Sequence, residues 1–348
     1  MRHANVAFFV PHLGCPHRCS FCDQKNISGS VRISSPDEVA KTCAVAAQRL
    51  KDRNFPAEIA FFGGSFTAIE PAQMQSLLQA AYSFVKDGSF DGIRISTRPD
   101  AIHPPVLALL KTYGVTAVEL GAQSMNDEVL WKNGRGHTQQ DVVYAARLIQ
   151  DAGLSLGLQM MIGLPGETWE MCQLSARKIA ALKPDCVRLY PTLVVEGTDL
   201  ACWYRAGEYV PLTLEEAVDQ TAWLLRFFED RDISVIRVGL HAEASLEQSC
   251  IAGPFHPAFG EMVYSRVWRK CLLDMLDQGD CREKVLEIFV RPQMLSKAVG
   301  QKRENVRWLA DKGYEVTIRP DASLPAAEPF RIKEVKHLNS FQSLPFED

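Results

Sequence analysis

Three cysteines carry the clearest chemistry in this chain. Cys15, Cys19 and Cys22 stand in the run Gly14-Cys15-Pro16-His17-Arg18-Cys19-Ser20-Phe21-Cys22, a C-x3-C-x2-C spacing that directly follows a short apolar stretch, Val6 to Val10. Thiolates are soft ligands suited to iron–sulfur clusters or zinc. A tight loop with this spacing lets three thiolates reach three irons of a cubane and leaves the fourth iron open, as a catalytic site requires. A structural zinc would need a fourth partner, which His12 or His17 could supply. The other seven cysteines form no close pairs; they read as small core hydrophobes or exposed thiols, with an auxiliary cluster as the alternative.

A second set of residues recurs where apolar stretches end. Phe61-Phe62-Gly63-Gly64-Ser65-Phe66-Thr67 closes one stretch, Ile95-Ser96-Thr97-Arg98-Pro99-Asp100 the next, and Glu119-Leu120-Gly121-Ala122-Gln123-Ser124 a third. Arg135-Gly136-His137-Thr138 follows, and Gln159-Met160-Met161-Ile162-Gly163-Leu164-Pro165-Gly166-Glu167-Thr168 closes a fourth. Paired glycines let the backbone approach a ligand closely. Any one of these groups could be a helix cap, as Thr168 is expected to be. Together they make a site if the strands that end in them are parallel neighbours.

The elements between them predict that arrangement. Apolar strand-like runs at 57–62, 92–97, 115–120, 154–162 and 186–193 alternate with helical stretches at 36–53, 71–86, 104–113, 139–152, 168–182 and 214–230. Such alternation indicates parallel β/α units with strands buried on both faces. Six units fit before residue 231, and 233–238 adds one more strand. The expected fold is α/β, a partial (β/α)6 TIM-type barrel with a small α+β C-terminal module. Ligands then belong at the carboxyl ends of the strands.

Composition bounds the remaining possibilities. The 348 residues carry 38 basic and 42 acidic side chains, net −4, with 47% hydrophobic residues, a composition that fits a globular chain and not a disordered one. No apolar run is long enough to span a membrane, and the first residues lack a secretory pattern, so no membrane partner and a cytoplasmic location are expected. The charge balance shifts near Ala252-Gly253-Pro254: residues 1–254 carry net −5 and residues 255–336 net +3. The expected domains are a barrel over 1–254 and a basic module over 255–348.

The cysteine spacing, with an aromatic before its last cysteine and a place in the loop after a first strand, resembles the radical S-adenosylmethionine (radical SAM) superfamily. That resemblance implies a [4Fe–4S] cluster on Cys15, Cys19 and Cys22, its open iron chelated by S-adenosylmethionine. It also implies reductive cleavage to a 5′-deoxyadenosyl radical, and an electron donor such as a flavodoxin or ferredoxin. By the same analogy Gly63, Gly64 and Ser65 bind the amino group of the cofactor, and Arg135 pairs with its carboxylate. Phe21, Ser96, Arg98, Gln123 and Gln159 complete the pocket; relatives often carry a glutamate where Ser96 stands. Thr97-Arg98-Pro99-Asp100, the run from Val118 to Thr138, and Tyr190 to Thr198 are similar to the radical SAM half of the Elongator catalytic subunit family, which modifies tRNA. An acetyltransferase domain of that family has no counterpart among the remaining residues, so carboxymethylation is not expected.

The C-terminal segment from about 282 to 319 reads as β-α-turn-α-β with net charge +4, and resembles a KH-type RNA-binding core. Its turn, Gly300-Gln301-Lys302-Arg303, replaces the second glycine of the GxxG motif with arginine; Gly300, Lys302 and Arg303 are its candidate RNA contacts. These readings converge on a radical SAM enzyme acting on RNA, tRNA or rRNA. The alternatives are radical chemistry on a small molecule such as a tetrapyrrole intermediate, or a non-enzymatic RNA-binding iron–sulfur protein. Tyr190 and Cys186 are candidate hydrogen donors.

Overall fold

The computed structural model describes residues 3–10, 15, 18–23, 32–240, 243–277, 284–325 and 330–334. The chain divides into two compact units, residues 1–257 and 258–348. In the first, β1 (Ala4–Val10), α1 (Pro36–Arg49), β2 (Ala57–Gly63), α2 (Pro71–Lys86), β3 (Gly92–Thr97), α3 (Pro104–Thr112) and β4 (Val115–Gln123) alternate. After two helices, α4 (Asp127–Lys132) and α5 (Gln139–Asp151), come β5 (Ser155–Ile162), α6 (Trp169–Ala181) and β6 (Cys186–Pro191). Then β7 (Val194–Val195), α7 (Asp199–Arg205), α8 (Leu214–Glu229), β8 (Ser234–Val238), α9 (Ala244–Ser249) and β9 (Cys250–Ala252) finish the unit.

Seven of these strands form one parallel sheet in the order β1-β2-β3-β4-β5-β6-β8; β7 and β9 pair antiparallel beside it. Six β/α units and a seventh strand are thus present, as the alternation implied. The helices start where local chemistry lets them. Ser35, Thr138 and Thr213 close capping boxes with Glu38, Asp141 and Glu216, and proline opens α1, α2 and α3.

The two faces of the sheet differ in kind. Ile93, Ile95, Val118, Leu120, Leu158 and Leu189 lie in the core packed by the helices. The alternate residues Arg94, Ser96, Glu119, Gln159, Arg188 and Arg237 point the other way, as the period of two requires. On that second face the sheet curls on itself. The Arg188 guanidinium of β6 lies 4.9 Å from the Phe62 ring of β2, and the Arg94 Nη1 of β3 is 3.9 Å from the Cys186 Sγ of β6. Among the described residues no helix is long and apolar enough to cross a membrane.

The second unit holds α10 (Phe259–Asp277), β10 (Val285–Val290), α11 (Leu295–Val299), α12 (Glu304–Asp311), β11 (Glu315–Pro320) and β12 (Phe330–Glu334). The sheet order is β11-β10-β12, with β10 parallel to β11 and antiparallel to β12. Its core joins Trp268, Leu272, Leu286, Ile288, Leu309 and Phe330. Sequence reading anticipated β10 through β11 and missed α10 and β12.

Candidate active site

The cysteine loop leaves the carboxyl end of β1 and is tied to the rest of the unit through Asn133. This side chain is fully buried; it accepts from Ser20 Oγ at 2.8 Å and donates to the carbonyls of Val129 at 2.8 Å and Pro165 at 3.1 Å. The Ser20 amide also donates to the Asn133 carbonyl at 3.1 Å. One amide thus joins the cysteine loop, α4 and the loop after β5. Nothing near Asn133 in the sequence announces this, because its partners lie 113 and 32 residues away.

Cys19 and Phe21 are buried in an apolar cluster with Val129, Leu164 and Leu200, and Cys22 and Tyr190 pack against it. Phe21 therefore fixes the loop by filling a hole in the protein. Arg135 meets the loop from the other side. Its Nη1 donates to Cys19 Sγ at 3.0 Å and its Nη2 to the Gly121 carbonyl at 2.6 Å. A Cβ at residue 121 would stand 2.9 Å from Gln123 Nε2 and 3.3 Å from Arg135 Nη2, so glycine is needed there for both side chains to fit. Arg98 backs the arrangement, binding Asp100 through Nε at 2.9 Å and Nη2 at 3.1 Å, and the Arg135 carbonyl at 2.5 Å. Burial and the neighbouring Cys19 push the Cys15 thiol up, and the Arg98 and Arg135 guanidiniums oppose that shift. His137, pushed down to about 3 by burial and by the same two arginines, is neutral.

The strand ends that were expected to line a pocket are braced to one another. Ser65 Oγ is 2.8 Å from Thr97 Oγ1 and accepts from the Arg98 amide at 3.2 Å, and Thr67 Oγ1 is 2.7 Å from the same threonine. The Gly64 amide donates to the Val10 carbonyl at 2.6 Å, which holds the ends of β1 and β2 together beside the loop. Gln159 Nε2 donates to Ser96 Oγ at 3.1 Å and to Glu119 Oε2 at 3.0 Å. Ser65 and Ser96, and the Gln159 amide nitrogen, thus have protein partners and act here as positioning groups. Among the described residues, the buried polar atoms without partners include Gln123 Oε1, Arg135 Nε and Arg98 Nη1, with others at His137, Glu167, Thr192 and in the second unit. Gln123 ends β4 with φ 64°, a left-handed backbone that few residues other than glycine adopt.

Gln123 Oε1, Arg135 Nε and Arg98 Nη1 supply one buried carbonyl acceptor beside two cationic donors. An amino acid headgroup, with its ammonium and carboxylate, has the complementary chemistry. The residues present therefore fit the methionine end of S-adenosylmethionine, beside the loop that carries Cys15, Cys19 and Cys22. Among the described residues no three His, Cys, Asp or Glu side chains gather to hold a single metal ion. The zinc partners considered above, His12 and His17, lie outside the described residues.

In the second unit Gly300 opens the turn, and a Cβ there would stand 2.7 Å from Glu304 Cγ and 2.8 Å from Ser265 Oγ. Buried Asn305 locks this turn to α10 and α11 by donating to Ser265 Oγ at 2.9 Å and the Ala298 carbonyl at 3.0 Å. Lys302 and Arg303 both adopt left-handed backbone, φ 48° and 62°.

A parallel half-barrel with a C-x3-C-x2-C loop at the mouth of its first strand defines a radical SAM protein. Two family models match in tandem, the radical SAM superfamily over residues 9–179 and the radical SAM C-terminal domain over residues 184–269, and the chain belongs to that superfamily. It is 39% identical over 128 residues to a tRNA uridine(34) acetyltransferase of Methanocaldococcus jannaschii, covering 36% of this chain and 24% of the relative. It is 28% identical to one of Dehalococcoides mccartyi, covering 59% and 52%. The fold is similar to that of the archaeal Elp3 of Methanocaldococcus infernus, with a TM-score of 0.62 at 24% identity over 78% of this chain and 63% of that one. The chain thus spans about a quarter to a half of the length of the curated relatives named here.

Proposed function

We propose that this chain is a cytoplasmic radical SAM enzyme that modifies RNA, tRNA or rRNA. The observation that carries the reading is the meeting of Cys19 and Arg135 beside the unpartnered Gln123 Oε1 and Arg135 Nε. Cys15, Cys19 and Cys22 would hold a [4Fe–4S] cluster, and Arg135, Gln123 and Arg98 the amino and carboxylate groups of S-adenosylmethionine. When bound and reduced by a flavodoxin- or ferredoxin-type donor, these cofactors supply a carbon-centred radical able to abstract a substrate hydrogen atom.

The chain's own residues orient and shield that chemistry. Phe21, Val129 and Leu164 exclude water from one side of the cysteine loop, and Asn133 fixes its path. The Ser65–Thr97–Thr67 hydroxyl chain sets the spacing of the strand ends around Gly63 and Gly64. RNA as the substrate class is supported by the tRNA-modifying relatives and by the basic β10–β11 module, whose Gly300–Arg303 turn would meet the sugar-phosphate backbone through Lys302 and Arg303.

The test is anaerobic reconstitution with iron and sulfide, followed by reductant and S-adenosylmethionine. Release of 5′-deoxyadenosine should rise when bulk cellular RNA is added and vanish in Cys19→Ala. Release indifferent to RNA would move the substrate to a small molecule, and a well-formed cluster that never cleaves S-adenosylmethionine would overturn the enzyme reading.

A further inference from the structure

The face of the sheet turned away from the helices carries a charged layer that the cofactor site leaves unused. At its centre Glu119, 1% exposed, accepts from Arg188 Nε at 2.6 Å and Nη2 at 2.8 Å, from Gln159 at 3.0 Å and from Arg94 at 3.3 Å. Arg94 also binds Glu58 at 2.8 Å, and His3 touches the same carboxylate at 3.1 Å. Two carboxylates are therefore matched by two guanidiniums. The Cys186 thiol beside them is pushed up to about 11 by burial and the Glu119 charge, and stays neutral.

A third guanidinium has no such match. Arg237 of β8 stands in register with Arg188 of β6, and its Nε donates to the Gly239 carbonyl at 2.9 Å. Among the described residues no carboxylate lies within ion-pair distance of it. Tyr190 sits on the same face two residues beyond Arg188, toward the strand's carboxyl end, with its phenol beside both arginines. Its ring packs against the cluster that contains Cys19 and Phe21, which places this pair next to the cysteine loop. A half-buried guanidinium with no carboxylate partner is unfavourable unless an anion joins it.

We propose that Arg237 and Tyr190 form a receptor for a phosphate of the RNA strand entering the half-barrel. The choice of phosphate rests on the RNA reading above; the vacancy in the charge balance does not. A guanidinium fork beside a hydroxyl donor offers a phosphodiester two kinds of hydrogen bond, one of them charge-assisted.

The experiment is a footprint on the reconstituted full chain, without turnover. Phenylglyoxal modification of Arg237 is followed by mass spectrometry, alone and with saturating total tRNA or a tetracarboxylate porphyrin, while tRNA binding is measured in parallel. Total tRNA should protect Arg237 several-fold. Arg237→Gln should weaken tRNA binding roughly tenfold or more, with a salt slope lower by about one, and Arg237→Lys should retain part of the affinity. Bound tRNA that leaves Arg237 reactive overturns the receptor and spares the RNA reading. Protection by the porphyrin alone, or no tRNA binding at all, overturns both. The wild-type footprint decides the matter even if Arg237→Gln folds poorly.

Discussion

At Glu119 two guanidiniums and an amide converge on one carboxylate that solvent barely reaches. Removing one partner of such a buried group leaves the others uncompensated, at a cost of about 3–5 kcal/mol. Glu119→Gln should lower unfolding stability by that order in anaerobic denaturant titrations. Glu167 predicts a pH dependence. Burial pushes its carboxyl up to about 7, against hydrogen bonds from Ser124 Oγ and nearby backbone amides; burial, and then the Glu167 charge, raise the Tyr209 phenol and Cys172 thiol near it. The folded state thus holds this proton more tightly than the unfolded chain does. The associated stability is present below about pH 4.5 and is lost as pH climbs through about 7, by about 3 kcal/mol in all. Glu167→Gln should remove this fall from a series of urea midpoints between pH 5 and pH 8.

Among elements, loops do the joining and strands the spacing. Asn133→Ala cuts the link between the cysteine loop, α4 and the loop after β5. It should cost about 2 kcal/mol or more and lower the iron retained after reconstitution. The parent chain treated with chelator measures the baseline. The seven strands of the large sheet, the first-turn residues of most helices and the cysteine loop were legible because periodicity, caps and spacing are local signals. Asn133, Glu119 and Arg237 were not, since each acts through partners 25 to 113 residues away whose register no local pattern reports. One signal was available: Arg94, Glu119 and Arg188 each interrupt an apolar strand at the same phase, as in Val118-Glu119-Leu120 and Val187-Arg188-Leu189. A lone charge in a doubly buried strand calls for a charge on a neighbouring one. Ser65 shows the opposite limit, where a residue type fit for ligand binding is committed to a brace between strands.

For the whole molecule, the uneven charge along the chain has a measurable consequence. The basic second unit should dominate nonspecific affinity for RNA, so Lys302→Glu with Arg303→Glu should weaken tRNA binding and flatten its dependence on salt by roughly two phosphate contacts. Unchanged affinity in a salt titration would reduce that turn to packing around Gly300 and Asn305. The backbone at Gln123 draws a different consequence from the margin that keeps the molecule folded. A glutamine held at φ 64° strains the end of β4 by about 1 kcal/mol, and its carbonyl oxygen gains no protein partner in return. Gln123→Gly should therefore yield a sturdier protein and a poorer binder of S-adenosylmethionine. A screen for heat resistance would select that change and discard the activity with it.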